Sequence, residues 1–223
     1  YHLGNRSPDP WRSATKAPSF CAIKMSHSLT GKTIAVLMGG PGSERAISLV
    51  SAKSVSQALR SLDGVTVIDV DVKHSDFELP PATDLAYNVI HGRFGEDGDL
   101  QAILESKGVP YTGAGLESSK LAFDKILTKD RLIEARVSTP AYEYWRLKES
   151  AAPGMRFPMV VKPPREGSSV GVHIVQSPDE LVAAREDVAK YTDIALVEAF
   201  VKGKELTVGV LGDQVFPIVH ISP

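Results

Sequence analysis

From residue 33 the chain alternates apolar runs of strand length with glycine-rich turns and helical stretches. The order is "TIAVLM", the turn "GGPGSER", a helix over 46–62, "VTVIDVD", "DLAYNVI", the turn "HGRFGEDG" and a helix over 98–107. Parallel strands need long crossovers, and helices supply them, so this alternation predicts an open parallel sheet. In such sheets ligands collect beyond the C-terminal strand ends. Both polar glycine turns fall at such ends, which places a crevice there.

After "VPYTGAG" the pattern changes. A helix over 117–137 leads into strands "AYEYWRL", "PMVVKP" and "VHIVQ", a helix over 178–191 and the strand "IALVEAF". A hairpin follows, "ELTVGVLGDQ" with "VFPIVHISP", with Gly212 and Asp213 at its turn. Helices mixed with antiparallel strands predict an α+β unit, with a boundary near 117–119. The expected organisation is therefore an α/β unit over 25–118, an α+β unit over 119–198 and the start of a third over 199–223. Residues 1–24 carry no periodicity and read as a tail or upstream extension before Met25, or as a targeting peptide, against which stands the lack of a continuous apolar core. The last strand reads as cut off.

Composition narrows the function classes. Among 223 residues, 43% are hydrophobic and 23% charged, with a formal net charge of -2. This balance suits a globular protein and offers no field for nucleic acid or a membrane surface. No apolar run approaches the about 18 residues that span a bilayer. The one cysteine, Cys21, supports neither a disulfide framework nor a thiolate metal site, which fits a cytoplasmic setting.

Individual motifs admit two readings each. "REGSSVGV" (165–172) follows a strand and holds small residues that let phosphate approach backbone N–H groups, or it is a flexible hairpin loop. "GKT" at 31–33 is not a Walker motif, since Ser26 stands where glycine is required and a strand follows. Lys162 at a strand end either neutralises a phosphate or snorkels to solvent. Lys125 opens a helix, against the helix dipole, so an anion nearby would compensate it. Glu44 before a helix is either a cap or a carboxylate for a substrate ammonium. His91 is a strand-end histidine or a substrate contact. Glu198 and Glu205 are edge-strand charges or face a nucleotide.

Together these stretches resemble the D-alanine–D-alanine ligases of the ATP-grasp superfamily. The resemblance is carried by "GGPGSERAISLVS", "HGRFGEDGDLQ", "GVPYTGAG", "DKILTK", "VVKPPREGSSVGV" and "VEAFVKGKELTVGVLGD", in family order from about Lys32 to Pro223. It implies a parallel-sheet pre-ATP-grasp domain, then an ATP-grasp central domain, then an incomplete third domain. The implied activity is ATP-dependent joining of two D-alanines through an acyl phosphate, for peptidoglycan. D-lactate or D-serine as second substrate, or a noncatalytic binding protein, are the alternatives.

By motif, Glu44 would bind the first substrate's ammonium, Ser168 would tie the loop to Glu44, and His91 would line the pocket. Lys125, Lys162 and Ser169 would hold ATP phosphates. Glu198 and Glu205 would contact adenine and ribose. Glu96 and Asp97 read instead as caps of the next helix. Pro41-Gly42 and Pro164 depart from the family pattern without removing a polar group. The Mg2+ ligands, a transition-state arginine and a tyrosine loop belong downstream of Pro223, so the chain by itself is expected to be inactive. The family is commonly homodimeric.

Overall fold

In the computed structural model, residues 29–149 and 151–222 are described. The expected tail over 1–24 and Cys21 lie outside them. Strand β1 (Thr33–Gly39) is the centre of a three-stranded parallel sheet, between β2 (Thr66–Val72) and β3 (Leu85–Asn88). A central parallel strand is covered on both faces, which explains its unbroken apolar run. Ala35 and Leu37 face a core with Ile90, Phe94, Leu100 and Leu104, the last two from α2 (Asp99–Ser106). Val36 faces the other way, packing with Ala52 of α1 (Arg45–Arg60). The expected α/β alternation is present, with these helix ends within two residues of their predicted positions. The segment after α2 extends the sheet, Ala86 bridging to Tyr111 in parallel.

One expectation fails. The helix forecast over 117–137 is two helices, α3 (Leu116–Phe123) and α4 (Lys125–Glu134), separated by Asp124 in an extended conformation. Its carboxylate accepts from the backbone N–H groups of Ile126 and Leu127 at 2.9 and 3.3 Å. A short acid that reaches its own backbone does more for a helix start than for a helix interior, so the chain breaks and caps there.

The second sheet is antiparallel, in the order β4 (Tyr142–Arg146), β7 (Ile194–Ala199), β5 (Met159–Lys162), β6 (His173–Val175). Trp145, Met159, Val161, Ala195 and Val197 turn to one face and pack with Leu181, Ala184 and Val188 of α5 (Pro178–Val188). That helix starts at a capping Ser177 followed by Pro178. Strand alternation then puts Tyr142, Tyr144, Lys162 and Glu198 on the opposite face, toward α4. The forecast hairpin forms as two short ladders. β9 (Val210–Leu211) pairs with β10 (Gln214–Val215) across Gly212 and Asp213, and β8 (Glu205–Thr207) pairs with β11 (Val219–Ile221).

Candidate active site

Glu44 leaves β1 and enters α1 at the N-cap position, yet its side chain makes no capping bond. The carboxylate goes elsewhere. Its Oε2 lies so close to Gly92 and Gly167 that a Cβ on either would stand 2.3 and 2.8 Å away. Glu44 is thus inserted between the two glycine loops, one from each sheet. Arg45 fixes the turn that carries it, donating to both carboxylate oxygens of Asp71 at 2.7 and 2.8 Å and to the Val72 carbonyl at 3.1 Å. Ser48, buried, accepts from Gly39 N–H at 2.9 Å and donates to the Val89 carbonyl at 2.6 Å, tying both strand ends to α1. A cavity of ≈ 580 Å³ opens beside Glu44, lined also by Ser43, Arg93, Glu166 and Gly167.

The "HGRFGEDG" loop is built from within. Asp97 accepts from Phe94 N–H at 2.9 Å and Asp99 N–H at 3.1 Å, the expected helix-start role. Glu96 does something else: it stands 3.8 Å from His91 Nδ1. His91 Nε2 lies 3.3 Å from Ser51 Oγ on α1, which anchors the ring beside the loop. Asn88 and Gln101 both donate to the Gly95 carbonyl, at 2.8 and 2.9 Å. Neither amide stood out in the sequence; only the folded loop gives them a shared acceptor.

The serine loop approaches Glu44 through Gly167. Ser168 holds a left-handed conformation, φ +55°, and both Ser168 and Ser169 are exposed. Among the described residues Ser168 makes no hydrogen bond to Glu44. The base of this loop is fastened to the start of α4. Lys125 donates from its backbone N–H to the Pro164 carbonyl at 3.0 Å and from its ammonium to the Glu166 carbonyl at 2.6 Å. Arg165 Nε donates to Asp124 Oδ2 at 2.6 Å.

Lys162 and Glu198 meet as an ion pair on the α4-facing side of the second sheet. Glu198, 7% exposed, gives its other oxygen to Lys129 at 2.5 Å. Burial pushes the Glu198 carboxyl up, but the bonds from Lys129 and Lys162 outweigh it and hold the group below its ordinary value. Lys125 moves the other way from a usual lysine: burial lowers it, and the charge of Lys162 lowers it further, against the pull of Glu166, Asp124 and Glu198. Lys125, Lys162 and Glu198 are therefore brought into one electrostatic cluster. Glu205 opens β8, exposed, and has no ion pair among the described residues. Lys129 was not singled out, since a lysine inside a polar helix has no sequence signal for a buried partner.

The sequence and the fold have known counterparts. A family model described as D-ala D-ala ligase N-terminus matches residues 71–114, and one described as D-ala D-ala ligase C-terminus matches 136–223. The chain is 42% identical over 200 residues to a D-alanine–D-alanine ligase of Syntrophotalea carbinolica, covering 88% of this chain and 65% of that one. With the enzyme of the same name from Aquifex aeolicus it shares 41% over 197 residues, 85% of this chain and 66% of the relative. A crystal structure of the Bacillus anthracis D-alanine–D-alanine ligase superposes with a TM-score of 0.76 at 32% identity, covering 85% of this chain and 64% of that one. The same enzyme complexed with ATP gives 0.75 at 31%, covering 86% and 64%. The chain thus spans just under two thirds of the length of these relatives. Residues 71–114 and 136–223 match the N-terminal and C-terminal models of one family in order, so the chain belongs to the D-alanine–D-alanine ligase family and has the ATP-grasp fold.

Proposed function

We propose that this chain serves the ATP-dependent joining of two D-alanines into a dipeptide for peptidoglycan. The observation that carries this reading is Glu44, a carboxylate left free of capping and enclosed by two glycine loops at the edge of a cavity. Such a group suits an amino acid's ammonium. Lys125 and Lys162 supply positive charge for the ATP phosphates, and Ser169 is assigned to the same phosphates, on the loop whose Glu166 carbonyl accepts from Lys125. His91 and Ser168 stand on the two loops that flank the first substrate, and Glu198 and Glu205 are assigned to the adenine and ribose.

In this reading the carboxylate of the first D-alanine attacks the terminal phosphorus of ATP, forming an acyl phosphate and ADP. The amine of the second D-alanine then attacks the acyl carbon, and phosphate leaves. Positioning and charge neutralisation carry most of the work. Glu44 orients the first amino acid by its ammonium, while the lysines hold the phosphates in reach of its carboxylate. Mg2+ belongs to the proposal, but among the described residues no three His, Cys, Asp or Glu side chains cluster to hold a metal, so no step is assigned to it.

The reading extends to a homodimer in the cytoplasm that meets neither nucleic acid nor membrane. A net charge of -2 offers no strong field for nucleic acid or an anionic membrane surface, and among the described residues no helix is long and apolar enough to cross a bilayer. The test is calorimetric titration of D-alanine and of ADP into the wild-type chain and Glu44→Gln. D-alanine affinity should fall by at least about tenfold, with ADP affinity unchanged. Equal D-alanine affinity in the two proteins would overturn the role of Glu44.

A further inference from the structure

Lys129 is 4% exposed, and its ammonium is surrounded by three acceptors. Thr139 Oγ1 lies at 2.6 Å, the Pro140 carbonyl at 3.0 Å and Glu198 Oε1 at 2.5 Å. The Tyr142 ring stands 5.0 Å from the same nitrogen. An ammonium has three N–H donors, so Lys129 has none left for a ligand. Lys162 differs. Its side chain is 20% exposed, and its only ion-pair partner among the described residues is the second oxygen of Glu198.

The two lysines share one carboxylate, which leaves the trio one surplus positive charge. If Glu198 faced Lys162 alone, in a site with little water, the whole carboxylate charge would hold that ammonium in place. With Lys129 already neutralising Glu198, Lys162 is held by a hydrogen bond and a weakened field. We propose that Lys129 is a positioning residue for nucleotide binding: by occupying Glu198 from the protein side it leaves Lys162 available to a phosphate. Thr139 and Pro140 lead into β4, so Lys129 also fixes α4 against the strand that pairs with β7, where Glu198 sits.

The inference rests on the nucleotide reading above, and its test separates the two. The probes are adenosine and ADP, titrated by calorimetry into the wild-type chain, Lys129→Met and Lys129→Gln. The ratio of the adenosine Kd to the ADP Kd isolates phosphate recognition, because contacts to the base cancel. Both variants should lower this ratio by about tenfold, the value of one charge-assisted phosphate contact. Adding Glu198→Gln to Lys129→Met should recover most of the loss, since the carboxylate that captured Lys162 loses its charge. A merely structural lysine would move both ligands alike and would gain nothing from the second change.

An unchanged ratio in a folded variant, or a loss that Glu198→Gln leaves in place, overturns the role of Lys129. If neither Lys129 variant folds, Glu198→Gln alone decides: it releases Lys162 and must raise the ratio, and an unmoved ratio overturns the proposal. A wild-type chain that binds neither adenosine nor ADP overturns the nucleotide reading and this inference together.

Discussion

A side chain at Gly92 would have to displace Glu44, because its Cβ would stand 2.3 Å from Oε2 of that glutamate. Gly108 has nearly the same backbone, φ +66° against φ +67°, but nothing within 4 Å of its Cβ position. The pair separates backbone strain from crowding. Gly92→Ala and Gly108→Ala should each lose about 1–2 kcal/mol of stability from the left-handed conformation. Only Gly92→Ala should also weaken D-alanine binding, by about tenfold or more, as Glu44 is pushed aside. Thermal unfolding and D-alanine titration of both variants check this; matched D-alanine affinities would show that Glu44 tolerates displacement.

Arg45 reaches Asp71 with a two-pronged contact that lysine does not reproduce. Both side chains are a third or more exposed, so Arg45→Lys should cost about 1 kcal/mol or less in unfolding experiments. Its larger effect is local. The turn that holds Glu44 loosens, D-alanine affinity drops several-fold and ADP affinity stays put. A variant with unchanged D-alanine affinity would mean that Ser48 and the strand ends hold the turn without Arg45.

Asp124 has two duties that hydrogen exchange can tell apart. One oxygen caps α4, and the other receives Arg165 from the serine loop. Arg165→Ala should speed amide exchange over 165–171 while leaving the first turn of α4 protected. Asp124→Ala should speed both and cost about 1 kcal/mol from the lost cap. Protection of the α4 start in Asp124→Ala would show that the cap is dispensable.

The depressed pKa of Glu198 sets a direction for acid stability. The folded form binds its proton less readily than the unfolded form, whose ordinary value is 4.5. The stabilisation is therefore fully present above that value and disappears as pH falls through the lower, folded value. Glu198→Gln should flatten this acid limb of the stability curve, measured by denaturant unfolding between neutral and acid pH. A limb of unchanged steepness would place the acid sensitivity in other carboxylates, such as Asp69 with Ser56 and Arg60.

The parts of the fold legible in the sequence were those set by local periodicity. Ile34 to Leu37 are apolar without a break because β1 is covered on both sides, and the glycines after it announce the turn. The helix start at Lys125 was legible after Asp124, but the end of the preceding helix at Phe123 was not, because the helical run reaches it without a breaking residue. In the candidate site, Glu44 was legible as a carboxylate beyond a strand end. Its enclosure by Gly92 and Gly167 was not, because those residues lie 48 and 123 positions further along the chain. Asn88, Gln101 and Lys129 were silent for a related reason: each acquires its meaning from an acceptor that another segment supplies. Asn88 and Gln101 converge on the Gly95 carbonyl, and Lys129 on a glutamate of β7, three strands after β4.

The strand order β4-β7-β5-β6 carries a consequence for how the protein is made. The two strands drawn from 142–162 are not neighbours; a gap between them is filled by 194–199, the last of the four to leave the ribosome. Contacts between segments so distant along the chain form slowly. Until β7 inserts, Lys129 and Lys162 have no shared carboxylate, and β4 and the β7-facing edge of β5 stand unpaired. The face that carries Lys162 and Glu198 is therefore completed in a single step, once β7 has been made, and the nascent chain is most exposed to aggregation in the interval just before it.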